Sequence, residues 1–160
     1  CLWGALSDDQ IQTVSTDHCS FTLKQKLVGE NDFSSTPGGM PGVEDRAVLL
    51  YTYGVKQNKI SLAQMCRFLS ENPAKLYGAY PQKGCIAVGA DADIVVFDES
   101  TTGVISAKTQ AYNMDYAPYE GFETCGGVEK VYLRGHKVVE NHRVVVEHTG
   151  CFLKRGITCL

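Results

Sequence analysis

Near residue 80 the texture of the sequence changes, and that change limits the folds open to the chain. Upstream, apolar residues recur at helical spacing: Val43, Ala47, Leu50 and Tyr51, then Leu62, Met65, Cys66 and Leu69. Downstream, "GCIAVGADADIVVFD" (84–98) is punctuated by glycine and rich in β-branched residues. "VEKVYLRGHKVVENHRVVVEH" (128–148) reads as a meander of short Val-rich strands with tight turns at Arg134-Gly135 and Asn141-His142. An αβ segment followed by an all-β segment predicts two lobes, with a boundary between 78 and 84. Neither lobe closes on itself: one strand with two or three helices makes no complete layer, and a meander leaves edges that need partners. The opening "CLWGALSDDQ" has no initiator Met, basic stretch or apolar leader, which predicts a piece of a longer chain.

Local signals place the elements. "IQTVSTD" (11–17) carries a β-branched run that ends at an acid, and it predicts a buried strand delivering Asp17 at its C-terminal end. From Phe21 to Gly42 there is little periodicity, and "NDFSSTPGGMPG" concentrates Asn, Ser, Pro and Gly, so a long loop without elements of its own is expected. A helix starts near Val43, with Glu44 and Asp45 complementing its positive end, and stops between Gly54 and Asn58. Ser61 and Gln64 form a capping box for the next helix, with Ile60 and Met65 spaced as a hydrophobic staple. Asn72-Pro73 is expected to end that helix and start a short one through "AKLYG", with Asn72 as its N-cap.

Several function classes are excluded. There are 15 Lys and Arg against 18 Asp and Glu, a formal charge of -3, with no basic stripe to neutralise phosphates, so nucleic acid is not an expected partner. No apolar run approaches the roughly 18 residues of a membrane span. Seven cysteines without a CxxC pair or zinc-finger spacing predict reduced thiols in a cytoplasmic protein.

The candidate chemistry centres on Asp17. A carboxylate at a strand tip followed by a long loop is where barrel enzymes place catalytic groups, and it could bind a cation or relay a proton; it could equally cap the turn leaving the strand. His18 alternates to the other side of an extended chain, so a packing role is expected for it rather than a shared site. "PGGMPG" (37–42) matches no phosphate-loop pattern, and it either exposes backbone groups to a ligand or is flexible. His136, His142 and His148 lack metal-ligand spacing and are expected at the surface. Tyr119 and Glu120, in "YAPYEGFE", are read as a loop tacked to its neighbour.

Six stretches together resemble one family. They are "TDHCSF" (16–21), "DFSSTPGGMPGVEDR" (32–46), "NPAKLYG" (72–78), "KGCIAVGADADIVVFD" (83–98), "ISAKT" (105–109) and "YEGFE" (119–123). Over nearly the whole chain they look like the C-terminal third of the dihydropyrimidinase and bacterial D-hydantoinase family of cyclic amidohydrolases. The "GADADI" stretch indicates only the wider amidohydrolase superfamily, whereas "TDHCSF" to "GVEDR" is particular to the hydantoinase branch.

The resemblance implies an α/β fold: residues 1–80 as the last strand, active-site loop and helices of a (β/α)8 barrel, and residues 81–160 as the C-terminal part of a small β-sandwich and tail. It implies two divalent metal ions, usually zinc, held by a His-x-His pair, a carboxylated lysine, two further histidines and one aspartate. Only the aspartate has a match here, Asp17, which becomes metal ligand and proton shuttle in the hydrolytic opening of a dihydropyrimidine or 5-substituted hydantoin. Gly38 stands where the family carries the Asn of a "PNG" stretch whose backbone contacts the substrate. A cytoplasmic homotetramer is implied for the full-length protein, and no hydrolysis for this chain alone. Dihydropyrimidinase-like scaffold proteins are the alternative, and retention of Asp17 favours the enzyme. The "CFLKRG" tail (151–156) is a candidate for docking on a neighbour.

Overall fold

A computed structural model describes residues 1–141, 143–146 and 149–160, so His142 and His148 lie outside the described residues. Five short α-helices precede a four-stranded antiparallel sheet. The helices are α1 (Leu2–Ser7), α2 (Leu23–Lys26), α3 (Arg46–Leu50), α4 (Leu62–Cys66) and α5 (Asn72–Leu76). The strands are β1 (Ile94–Val104), β2 (Glu123–Leu133), β3 (His136–Glu140) and β4 (Arg143–Val144), in that spatial order. None of the described helices is long and apolar enough to cross a membrane.

The capping box is present at α4: the Ser61 hydroxyl accepts from the Gln64 amide at 3.1 Å, and the Gln64 side chain accepts from the Ser61 amide at 2.9 Å. Ile60 and Met65, the expected staple, are both buried in one cluster. The helix does not stop at Asn72-Pro73. In a regular α-helix the proline ring would press on the carbonyl of residue 69. A π turn over Arg67–Glu71, closed by the Asn72 N–H on the Arg67 carbonyl, widens the coil one turn earlier and carries it into α5. Asn72 therefore lies inside the helix, and its buried side chain binds Gln12 instead of capping. The expected apolar face also shifts. Leu62 is exposed, whereas Phe68, absent from that face, is fully buried at 0% exposure.

The predicted loop of 21–42 contains α2 and two 3-10 turns, Leu27–Gly29 and Phe33–Ser35. A second capping box starts α2: the Thr22 amide donates to the Gln25 side chain at 2.7 Å and the Gln25 amide to the Thr22 hydroxyl at 3.3 Å.

The β2–β3 hairpin of the meander forms as read, and the expected turn at Asn141-His142 includes a residue outside those described. Arg134 and Gly135, both at positive φ (48° and 80°), make the two-residue turn between β2 and β3, where Leu133 faces His136. His136 is exposed. The 151–160 tail has no regular element and docks on the chain's own α5 end: the Gly156 amide donates to the Gly78 carbonyl at 2.6 Å and the Cys159 amide to the Lys75 carbonyl at 3.1 Å.

One core cluster unites the halves. Leu6, Leu50, Tyr51, Ile60, Met65 and Phe68 are buried together, and Phe97 and Cys125 from the sheet pack against them. Tyr51 meets Phe97 at a ring-centroid distance of 4.9 Å. Gly126 permits that contact: its φ is 77°, and a Cβ there would lie 2.4 Å from Phe97 and 2.8 Å from Tyr51. α3 continues as a π turn, Tyr51–Val55, which carries Thr52 to the backbone of β2. The Thr52 hydroxyl accepts from the Cys125 amide at 3.0 Å and lies 2.7 Å from the Val48 carbonyl.

A buried polar joint ties the start of α3 to the β1–β2 connection. Asp45, 3% exposed, accepts from the Gln110 amide nitrogen. Its Oδ2, the Gln110 Oε1 and the Tyr112 hydroxyl are buried without a hydrogen-bond partner among the described residues. Burial, reinforced by the neighbouring Glu44, holds the Asp45 pKa above the ordinary 3.8. Burial, with Asp45 and Glu44 nearby, pushes the Tyr112 phenol up to about 12.

Two predictions follow from this packing. Phe68→Ala should cost about 3–5 kcal/mol and Gly126→Ala about 1–3 kcal/mol, both read as a shift in denaturation midpoint. For Asp45 the folded state binds its proton more tightly than the unfolded chain, so its contribution is fully present below pH 3.8 and is lost as pH rises through the folded value. Asp45→Asn keeps the acceptor for Gln110 and removes the charge. The variant should be more stable than the wild type at neutral pH, with the gap closing toward pH 4 in paired urea titrations.

Candidate active site at the Asp17 turn

The chain reaching Asp17 is extended but is not the predicted strand. Strands exist as pairs, and along 11–17 no neighbouring strand runs beside the chain among the described residues. Its backbone is satisfied by helices and side chains instead. The Val14 amide donates to the Phe68 carbonyl at 3.3 Å. Arg46 Nη1 donates to the Val14 carbonyl at 3.1 Å, and Asn72 Nδ2 to the Gln12 carbonyl at 2.8 Å. The segment is thereby pinned from α3, α5 and the π turn before α5.

At Asp17 the backbone enters the left-handed region, with φ 48°, a conformation that Asp tolerates better than most residues. Its carboxylate is exposed and makes no hydrogen bond or ion pair with the described residues. His18 turns the other way. Its Nδ1 accepts from the Gly42 amide at 3.1 Å and the Val43 amide at 3.2 Å, which leaves the ring proton on Nε2. The ring edge meets Tyr112 at 5.6 Å between centroids. His18 is a packing residue of the loop, and the adjacent acid and imidazole do not share a site.

Beyond His18 the loop returns beside its own start. His18 and Met40 form an isolated parallel bridge, with the Cys19 amide on the Met40 carbonyl at 3.1 Å. In that register Asp17 runs alongside Gly39, with Gly38 one residue further. The bridge brings the glycine-rich loop back to the residue that follows Asp17. Gly38 is exposed, with open space where a Cβ would stand. Gly39 (φ 117°) is required by the close approach: its Cβ would sit 2.7 Å from the Cys19 carbonyl oxygen.

The three charged residues of "GVEDR" each hold a different segment. Glu44 accepts from the Ala111 amide at 2.8 Å, Asp45 holds Gln110, and Arg46 reaches back to Val14. Glu120 accepts from the Ser106 hydroxyl at 2.7 Å and the Ala107 amide at 2.8 Å, so this loop is tacked to its neighbour as read. An open cleft of about 320 Å³ lies behind the Asp17 turn, lined largely by apolar groups and including Thr16, Met40, Arg46, Tyr53, Tyr119 and Phe122.

Sequence reasoning did not single out Lys26 or Arg46, and it read Asn72 as a helix cap where the side chain instead holds the Gln12 carbonyl. Lys26 donates to the Pro37 carbonyl and, at 2.6 Å, to the Gly39 carbonyl. The T-x-x-Q signature at Thr22 was the signal that would have placed Lys26 on a helix beside the loop. Among the described residues no three His, Cys, Asp or Glu side chains gather to hold a metal ion. A tetrahedral zinc centre takes four ligands, and Asp17 offers one oxygen position. The residues present therefore do not make a metal site by themselves.

The pattern of the amidohydrolase family matches residues 2–138. The D-hydantoinase of Geobacillus stearothermophilus is 46% identical over 145 residues, 90% of this chain and 31% of that protein. The crystal structure of dihydropyrimidinase from Brevibacillus agri NCHU1002 superposes with a TM-score of 0.88 at 47% identity, covering 90% of this chain and 32% of that one. L-hydantoinase (dihydropyrimidinase) from Arthrobacter aurescens superposes with a TM-score of 0.85 at 32% identity, covering 91% and 32%. The chain spans about a third of the length of these relatives. Its helices and sheet are a portion of an α/β fold of the metal-dependent hydrolase type. The match over most of its length, shared by sequence and by superposed structure, shows that the chain belongs to the amidohydrolase family.

Proposed function

We propose that the full-length protein hydrolyses a cyclic amide, opening a dihydropyrimidine or 5-substituted hydantoin ring to an N-carbamoyl amino acid. In this reading residues 1–80 complete a (β/α)8 barrel and residues 81–160 belong to a small β-sandwich. Apolar surface on the β side supports that assignment: Val95 is 58% exposed and Ile86 90%, area that a larger frame would cover. A cytoplasmic homotetramer with two divalent ions, zinc by family resemblance, is part of the same proposal.

The observation that carries the reading is the state of Asp17: exposed, unpaired among the described residues and held on a left-handed turn, with His18 bonded to the Gly42 and Val43 amides. In the full-length protein Asp17 would be one of the residues holding the metal ions, which would supply Lewis acidity when bound. The same carboxylate takes a proton from the attacking water and returns it to the ring nitrogen as the C–N bond breaks. Gly38 offers its backbone to the polar edge of the ring. Structures named D-hydantoinase and L-hydantoinase both superpose on this chain, which supports a hand preference set elsewhere in the full-length protein.

Asp17→Asn in the full-length protein should lower kcat for dihydrouracil or hydantoin by about 10²–10⁴-fold, because the amide cannot accept the proton. Metal content, measured in parallel, should fall as a ligand is weakened. Unchanged turnover would refute the assignment, and turnover by this chain alone would refute the view that the remaining ligands come from elsewhere.

A further inference from the structure

Lys26 has no role in the chemistry above, yet its ammonium is half-buried against the loop that carries Gly38. It donates to the carbonyls of Pro37 and Gly39, the residues on either side of Gly38. The Phe21 ring lies against the same ammonium at 5.3 Å. A charged donor on two backbone carbonyls makes stronger hydrogen bonds than a neutral one, and shielding by the ring strengthens them further.

The geometry of the peptide unit gives the consequence. The cis peptide among the described residues is Tyr80-Pro81, so the Pro37-Gly38 and Gly39-Met40 bonds are trans. A trans amide is planar and places its C=O and N–H on opposite edges. With the Pro37 carbonyl turned to Lys26, the Gly38 N–H faces away from it. With the Gly39 carbonyl turned to Lys26, the Met40 N–H also faces away, and Met40 is the residue that pairs with His18. The edge opposite Lys26 is therefore the edge along which Asp17 and His18 run. The Gly38 N–H donates to no acceptor among the described residues, and a Cβ on Gly38 would meet open space.

We propose that Lys26 is a positioning residue: by anchoring the flanking carbonyls it fixes the Gly38 N–H as an outward donor, on the Asp17 side, for a carbonyl oxygen of a cyclic amide or imide. The inference rests on the reading of Gly38 as a substrate contact and adds what makes that contact possible. A glycine in this position has wide φ and ψ freedom, and without the clamp its peptide planes would rotate. The clamp meets the cost of ordering the loop before the ligand arrives.

The test uses the full-length protein and the variants Lys26→Met, which keeps length and packing on Phe21, and Lys26→Arg, which keeps the charged donors. For Lys26→Met, KM for dihydrouracil should rise about tenfold, the loss of one well-placed hydrogen bond, while kcat stays close to wild type. Lys26→Arg should restore most of the affinity. An unchanged KM in Lys26→Met, a loss confined to kcat, or an Arg variant as impaired as Met would overturn the proposal.

Crystal structures of the three proteins form the second arm. The planes at 37–39 should turn or become disordered in Lys26→Met and be retained in Lys26→Arg, and wild-type planes in Lys26→Met would overturn the clamp. If the wild-type protein hydrolyses no cyclic amide, the proposed function fails, and this structural arm alone decides the role of Lys26.

Discussion

The contact between Tyr51 and Phe97 across Gly126 is the constraint on which the site depends. It presses the π turn after α3 onto the sheet at a place where no side chain larger than hydrogen fits between them. With the sheet fixed there, the β1–β2 connection passes over the start of α3, where Glu44 and Asp45 hold Ala111 and Gln110. That connection carries Tyr112 to the ring of His18, and His18 in turn fastens the glycine-rich loop beside Asp17. Asp17 is thus positioned through the sheet half of the chain, although in sequence it lies far from any strand.

How much of this was legible depended on whether the signal was local. The Ser61-Gln64 box and the Arg134-Gly135 turn are closed by residues within four positions of one another, so their spacing alone specified them. The separation of Asp17 and His18 was expected from strand alternation, but in the structure it comes from the left-handed turn at Asp17 and the bonds that the Gly42 and Val43 amides give to His18. The strand expected over 11–17 was not, since a β-branched run records a preference and the partner that would make it a strand is not encoded in it. Pro73 failed as a stop signal for a related reason: the π turn that accommodates it is a packing solution around Phe68, and helical periodicity does not report it. Thr22-x-x-Gln25 was readable but hidden in a stretch whose composition suggests a loop.

In the proposed function the catalytic centre is assembled from distant parts of the full-length chain. The described residues gather no metal-ligand cluster, yet they hold Asp17 with care: three side chains and one helix carbonyl secure the segments on either side of it. In the proposed function this support presents the carboxylate in a fixed place to groups supplied by other elements, the requirement of preorganised charge.

Thr52 and Tyr53 have a consequence of another kind. β3 pairs with β2 only from Lys130 to Leu133, so the first residues of β2 would present bare amides and carbonyls along one edge. The Thr52 hydroxyl binds the Cys125 amide and the Tyr53 hydroxyl donates to the Glu123 carbonyl at 2.9 Å, so the helix occupies this edge with side chains. An edge covered in this way cannot template a further strand, and the chain is protected there against the sheet-to-sheet growth that leads to aggregates.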